Sequence, residues 1–394
     1  MSNILFLTHI YPYPPDDGGR IVTFNTLRIL QERKHKVFLF SFMDKLNEKK
    51  YDMENLEQHL INKDYSNDSI NLIKNLFEKL PFTMKKYVDS SVEKIIEKVL
   101  KTEQIDFVIL DHLHMANYVN VIRKLKPEIP VYLRQHNIES IIMKRAYEKE
   151  ENILKKLYLL FQYKKLHKYE SNICELMDRI FVITEEDKEM LINMNPAIQD
   201  IEVVKAGVDF TKYKPISYEK RNKEYNLVFL GAMNWLPNEN GVMWFTDNVL
   251  PKLLDKFSNI KFYIVGKNPS EKIMELHKRY PDNIKVTGYV EDEREYIAMA
   301  DVFIVPLLIG GGMRLKILNA LAMKKAIVTT TIGAEGINLN DSYMVADSSS
   351  EFSNAIEKLF LDIEYREYIE KNGYEQVVKY YSFDAVSKPL LDAL

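Results

Sequence analysis

The chain has a single cysteine, Cys174, in 394 residues. It can form no internal disulfide and anchors no cysteine-rich metal site, so it reads as a small buried hydrophobe in a reducing compartment. No apolar run approaches the ~18 residues of a membrane-spanning helix. Excess positive charge is missing too: 54 lysines and arginines stand against 57 acids, a net charge of −3. That balance excludes a broadly basic nucleic-acid binder. The opening residues, MSNILFLTHIYPYP, lack a basic leader and carry only a short apolar run, the pattern of a first strand and not of a signal peptide. Low-complexity tracts are absent. The 46% hydrophobic and 28% charged residues predict a cytoplasmic globular protein, long enough for two domains.

What is present is an alternation of short apolar runs and amphipathic stretches. Strands are predicted at 4–8, 37–42, 106–111, 131–134, 179–184 and 202–205. A second series follows at 226–231, 261–266, 285–287, 301–306, 326–330 and 343–345. Helices are predicted at 23–33 and 91–101, then at 240–257, 270–279, 294–299, 314–323 and 350–360, with a last one after Ser382. Strands alternating with helices imply right-handed βαβ units and parallel sheets covered on both faces. The polar stretch 215–224 separates the halves. We divide the chain into a first domain at 1–208 and a second at 209–380, with a final helical segment at about 381–394.

The most informative segment is VFIVPLLIGGGMRLKILNALAMKKAIVTTTIGAEG, from Val302 to Gly336. A buried strand runs into Gly310, Gly311 and Gly312, and a helix follows with Arg314 and Lys316 at its start. Glycines let an anion approach the backbone, and a helix N-terminus offers unpaired N–H groups and partial positive charge. Cations there oppose the helix dipole and so answer to something negative. The segment reads as a phosphate cradle at the C-terminal end of a parallel strand. Arg can grip two phosphate oxygens, and Lys acts as a point charge.

These features resemble the GT-B glycosyltransferases, and more narrowly the retaining, nucleotide-sugar-dependent glycosyltransferase 4 family, or glycosyl transferases group 1. The resemblance spans nearly the whole chain. It is carried by Pro14-Pro15-Asp16-Asp17-Gly18-Gly19, the junction at 205–209, and Leu230-Gly231-Ala232-Met233-Asn234-Trp235. Val265-Gly266, Thr287-Gly288-Tyr289-Val290, Ala300-Asp301-Val302 and the glycine-cation segment complete it. It implies an α/β architecture of two Rossmann-like, doubly wound parallel-sheet domains facing a cleft, with the last helix crossing back to the first domain.

The resemblance also assigns residues. Gly18 and Gly19, placed in a loop before a helix at Thr23, would touch the diphosphate or the transferred sugar; the bland alternative is a tight turn capped by Asp16 or Asp17. His112, just past the strand 106–111, would hydrogen-bond the donor sugar, and His136, past 131–134, could reach it; otherwise both are satisfied loop histidines. Gly311, Gly312, Met313, Arg314, Lys316 and Asn319 would bind the donor, with Arg314 and Lys316 neutralising the departing diphosphate. The backbone of Gly288, Tyr289 and Val290 would meet the nucleobase, although Tyr289 could equally be a core residue. Trp235 either lines the cleft or packs under its helix, and Glu335 either replaces a lost carboxylate or caps a turn.

Departures from the pattern bear on activity. Relatives carry two glutamates eight residues apart around this helix start, where this chain has Gly311 and Asn319. The Arg and Lys that relatives place in the loop at 232–240 are also missing, and we read Arg314 and Lys316 as taking over their task. No Asp-x-Asp pair sits at a strand end, so no metal or other cofactor is expected beyond the nucleotide-diphosphate sugar itself. Glycosidase chemistry is disfavoured for want of paired carboxylates. A zinc site at His112 and His136 is disfavoured because no third ligand stands at a recognisable spacing.

The expected function is therefore hexosyl transfer, with retention, from a nucleotide sugar to an acceptor hydroxyl in bacterial polysaccharide or glycolipid assembly. The alternatives are a degenerate GT-B subunit that binds a partner transferase or its substrate, and a nucleotide-sugar 2-epimerase. From Met143 to Lys168 we predict one long helix with eight basic and three acidic residues, a net +5, and an apolar stripe of Leu154, Leu157, Tyr158, Phe161 and Leu166. Such a helix suits either an anionic membrane surface on the cytoplasmic side, near a lipid-linked acceptor, or a stripe turned into the core.

Overall fold

The computed structural model describes residues 1–15, 18–43, 51, 54–62, 74–219 and 224–394. Asp16 and Asp17, the alternative caps of the glycine turn, lie outside them. Met1–Lys205 with Ser387–Leu394 forms one compact unit, and Ala206–Val386 forms the other.

Among the described residues the first unit has seven parallel strands: β1 (Asn3–Thr8), β2 (Lys36–Met43), β3 (Leu56–Asn62), β4 (Phe107–Asp111), β5 (Val131–Arg134), β6 (Arg179–Val182) and β7 (Ile201–Val203). They lie in the order β3-β2-β1-β4-β5-β6-β7. The second unit has six, β8 (Tyr225–Leu230), β9 (Ile260–Val265), β10 (Ile284–Gly288), β11 (Val302–Val305), β12 (Ile327–Thr329) and β13 (Met344–Val345), in the order β10-β9-β8-β11-β12-β13. In both sheets the order reverses beside the first strand, between β1 and β4 and between β8 and β11. Open α/β sheets bind ligands at that reversal, outside the strands' C-terminal ends. The central strands are apolar throughout because helices cover both faces: Ile4 to Leu7 and Val302 to Val305 are fully buried.

Several elements differ from expectation, each for a local reason. The strand β3, LEQHLIN, was not predicted; it is a polar, half-buried edge strand whose one neighbour is β2. The first helix spans Gly18–Glu32, so Gly18 and Gly19 are its first turn and not a preceding loop. The helix expected at 240–257 begins at Leu236 and is interrupted at Val249, where Pro251 has no N–H with which to continue the ladder.

The long helix expected from Met143 to Lys168 is two helices, Glu139–Lys149 and Ile153–Cys174. The chain extends at Glu150, and the Asn152 side chain caps the second helix by accepting from the Lys155 N–H. The last helix is Phe383–Asp392. In the first unit Leu390 packs with Tyr132, Phe181 and Val204, and the Tyr132 hydroxyl donates to the Ala393 carbonyl at 3.2 Å. Cys174 is buried and free.

Candidate functional site

In the second unit the reversal point holds the glycine-cation segment. Gly310 and Gly312 have φ of +127° and +80°, which other residues reach only with strain, so the turn needs glycine at both. The following helix spans Leu315–Ala322. Arg314 is its N-cap residue, one position earlier than expected, and Lys316 lies in its first turn. The Arg314 guanidinium folds back on its own loop, where Nη1 donates to the Gly311 carbonyl.

Lys316 reaches to the end of β8. Its Nζ donates to Asn238 Oδ1 at 3.1 Å and stands 4.4 Å from the centre of the Phe229 ring. Asn238 is fixed in turn, because its Nδ2 donates to the Ala232 carbonyl at 2.9 Å. Gly231 leaves room for this arrangement: a Cβ there would stand 2.6 Å from Asn238 Nδ2 and 2.9 Å from Lys316 Nζ. Burial, with the Arg314 charge beside it, pulls the Lys316 ammonium down to about 7. A group so poised gains most from an incoming anion, which restores the reason to be charged. Asn238 was missed in the sequence because nothing local marks it as the partner of a lysine far along the chain.

The other predicted residues of this unit fall into distinct places. Asn319 is buried on the Leu315–Ala322 helix. Gly311 and Met313 are half-buried beside the turn, and Glu335 is half-buried in a turn after β12. Gly288 closes β10 with φ of +70°. Tyr289 is 70% exposed and Trp235 58% exposed, which removes the core reading of both side chains. Val290 packs against the core.

In the first unit β1 and β4 pair with Thr8 opposite Asp111, so the next residues, His9 and His112, emerge side by side. His112 has φ of +69°, a strained value for a residue with a side chain. Its N–H donates to the Arg134 carbonyl at 2.8 Å. His136 follows β5, and its Nε2 lies 2.9 Å from Asp111 Oδ1, while Thr23 donates to Asp111 Oδ2 at 2.6 Å. Thr23 belongs to the helix that Gly18 and Gly19 open, so Asp111 ties that helix to His136, with His112 Nε2 standing 3.7 Å from its Oδ2.

Burial alone would raise the Asp111 carboxyl; the His136 and His112 imidazoles, the His136 hydrogen bond and the Arg134 guanidinium outweigh it and hold it well below the usual range. Burial also lowers His112 far below its ordinary value, and the neighbouring His136 adds to this. For His114, burial, then Lys86 and His136, bring the imidazole down to about 3. Sequence reasoning missed His9 and His114 as members of this group. Their rings lie stacked at 4.3 Å, and His9 stands edge-on to His112 at 4.5 Å.

Residues 224–362 match the family model described as Glycosyl transferases group 1. The second unit carries a group 1 glycosyltransferase domain. The glycine-cation segment, Gly310 to Lys316, lies inside the matched range. An uncharacterized 44.6 kDa protein in the cps region of Klebsiella pneumoniae is 24% identical over 368 residues, 89% of this chain and 88% of that one. An uncharacterized glycosyltransferase of Methanocaldococcus jannaschii is 27% identical over 213 residues, 50% of this chain and 53% of its own.

Among solved structures, sucrose-phosphate synthase from Thermosynechococcus elongatus is similar at TM-score 0.75 and 14% identity, covering 100% of this chain and 98% of that one. HepE of Anabaena, solved in complex with UDP and glucose, is similar at TM-score 0.67 and 11% identity, covering 100% and 99%. With the group 1 domain in one of two doubly wound parallel sheets, the chain is a glycosyltransferase of the GT-B fold.

Proposed function

We propose that this glycosyltransferase moves a hexosyl group from a nucleotide-diphosphate sugar to an acceptor hydroxyl, with retention of configuration. The observation that carries the reading is Lys316, drawn to the end of β8 by Asn238 and Phe229 inside the group 1 domain. Cleavage of the sugar–phosphate bond leaves growing negative charge on the diphosphate. The Lys316 ammonium, the Arg314 guanidinium and the backbone of the glycine turn would stabilise that charge more than they stabilise the ground state. These groups supply the counter-charge without a metal. His112, pinned by its backbone at the end of β4, would hydrogen-bond the donor sugar, and Gly18 and Gly19 would offer the N–H groups of a helix first turn. The exposed Tyr289 would stack on the base.

Polysaccharide or glycolipid assembly is the setting we propose, since a relative lies in a cps region. An acceptor carried on an anionic membrane fits the helix Ile153–Cys174. Ile153, Leu154, Leu157 and Phe161 are exposed there, while Leu166 turns into the core and Tyr158 is half-buried. The exposed part of the stripe is flanked by Lys155, Lys156 and Lys164.

The test is donor binding and turnover. Purified protein is incubated with a panel of nucleotide sugars, and binding and nucleotide release are measured. We expect one donor to be turned over, and Arg314→Ala and Lys316→Ala each to weaken its binding by about tenfold or more. Unchanged affinity and turnover in both variants would overturn the assignment. Gly311 and Asn319, in place of two glutamates, favour a second reading, a non-catalytic subunit; the absence of any nucleotide binding would select it.

A further inference from the structure

We propose that His9, His112 and His114 form a binding site for a divalent transition-metal ion of the zinc class. One ring nitrogen from each lies within 4.8 Å of the other two. His9 Nδ1, His112 Nε2 and His114 Nδ1 are shielded from solvent and make no hydrogen bond, although His112 Nε2 stands 3.7 Å from Asp111 Oδ2 and His9 and His114 are half-buried as residues. Buried imidazole nitrogens without partners forfeit hydrogen bonds they would make in water, and a cation is one group able to satisfy three together.

Ligands on a tetrahedral zinc lie about 3.4 Å apart for metal–nitrogen bonds of about 2.1 Å, so closure asks for side-chain shifts of the order of an ångström.

The same neighbourhood offers a second triad, Asp111, His112 and His136. It is the weaker set, because Asp111 is already engaged by Thr23 and His136. With three imidazoles and no unengaged carboxylate, the donor set suits zinc, cobalt, nickel or copper and not the oxygen-seeking magnesium or calcium. The strained φ of His112 is consistent with a side chain held in place for binding. Spacing along the chain hides this site, since the third ligand comes from β1 through its parallel register with β4. His112 is shared with the donor-sugar contact proposed above, so the test reads metal binding directly and not turnover.

The test uses the full chain stripped of metal by a chelating resin. Zn²⁺ is titrated calorimetrically, and Co²⁺ is followed by its visible absorption. We expect one equivalent of each to bind and none of Mg²⁺. His9→Ala and His114→Ala should each weaken Zn²⁺ binding by about tenfold or more, while His167→Ala, on another helix, should not. His9→Cys should keep the site and add a thiolate-to-cobalt charge-transfer band. Circular dichroism checks that every variant is folded. Failure to bind one equivalent would overturn the proposal, as would wild-type affinity in folded His9→Ala and His114→Ala or a His9→Cys spectrum without the new band.

Discussion

At the scale of single residues, the balance at Lys316 has a consequence that can be measured. Free of ligand, its ammonium is lowered from 10.5 to about 7 by burial and by Arg314. A bound diphosphate favours the charged form and lifts that value, so binding near pH 8 should take up a proton. Donor affinity should then fall as pH rises through and above about 7. The stability effect runs the other way. Between about 7 and 10.5 the unfolded chain holds more protons at this site than the folded one, so folding stability gained from Lys316 rises with pH across that window. Calorimetric titration of UDP at pH 8, in buffers of different ionisation enthalpy, should show the uptake in the wild type and lose it in Lys316→Met. A buffer-independent heat in the wild type would show that the lysine does not face the phosphates.

At the scale of elements, the helix Ile153–Cys174 separates what the sequence reveals from what it hides. Strand positions were readable because doubly covered strands must be apolar along their whole length, as Phe303-Ile304-Val305 is. The glycine-cation turn was readable because Gly310, Gly311, Gly312, Arg314 and Lys316 are neighbours in the chain. Breaks in helices were not, since the extension at Glu150 and the cap at Asn152 look like ordinary polar residues of a continuous amphipathic run. The histidine group was invisible for a different reason: only strand pairing brings His9 beside His112. Which residues of the stripe meet solvent also depended on packing.

That packing now yields a prediction for the helix. Leu154 is 80% exposed and Leu157 59% exposed, with lysines on either side. The protein should therefore cosediment with vesicles containing phosphatidylserine and not with neutral vesicles. Burial of two leucines in lipid is worth about 3 kcal/mol or more, so Leu154→Asp with Leu157→Asp should reduce the bound fraction strongly while leaving nucleotide binding intact. Equal sedimentation of the double variant would rule the face out as the membrane contact.

For the molecule as a whole, the chain ends by completing the unit in which it began. Ser387–Leu394 belongs to the first unit although Ala206–Val386 lies between it and the rest of that unit. Leu390 is 1% exposed against Tyr132, Phe181 and Val204, on strands β5 and β6 and just beyond β7. Full burial of one leucine is worth about 2 kcal/mol, and its removal also uncovers two aromatic rings that it shields. Deleting residues 387–394 should accordingly loosen the first unit while the second keeps its own core of β8, β9 and β11. Hydrogen exchange read peptide by peptide should show faster exchange in β5 and β6 of the truncated chain and unchanged protection in β8 and β11. Equal protection of β5 and β6 in both chains would mean that the last eight residues cover this apolar surface without stabilising it. Loss of protection in both sheets would mean instead that the two units unfold as one cooperative body.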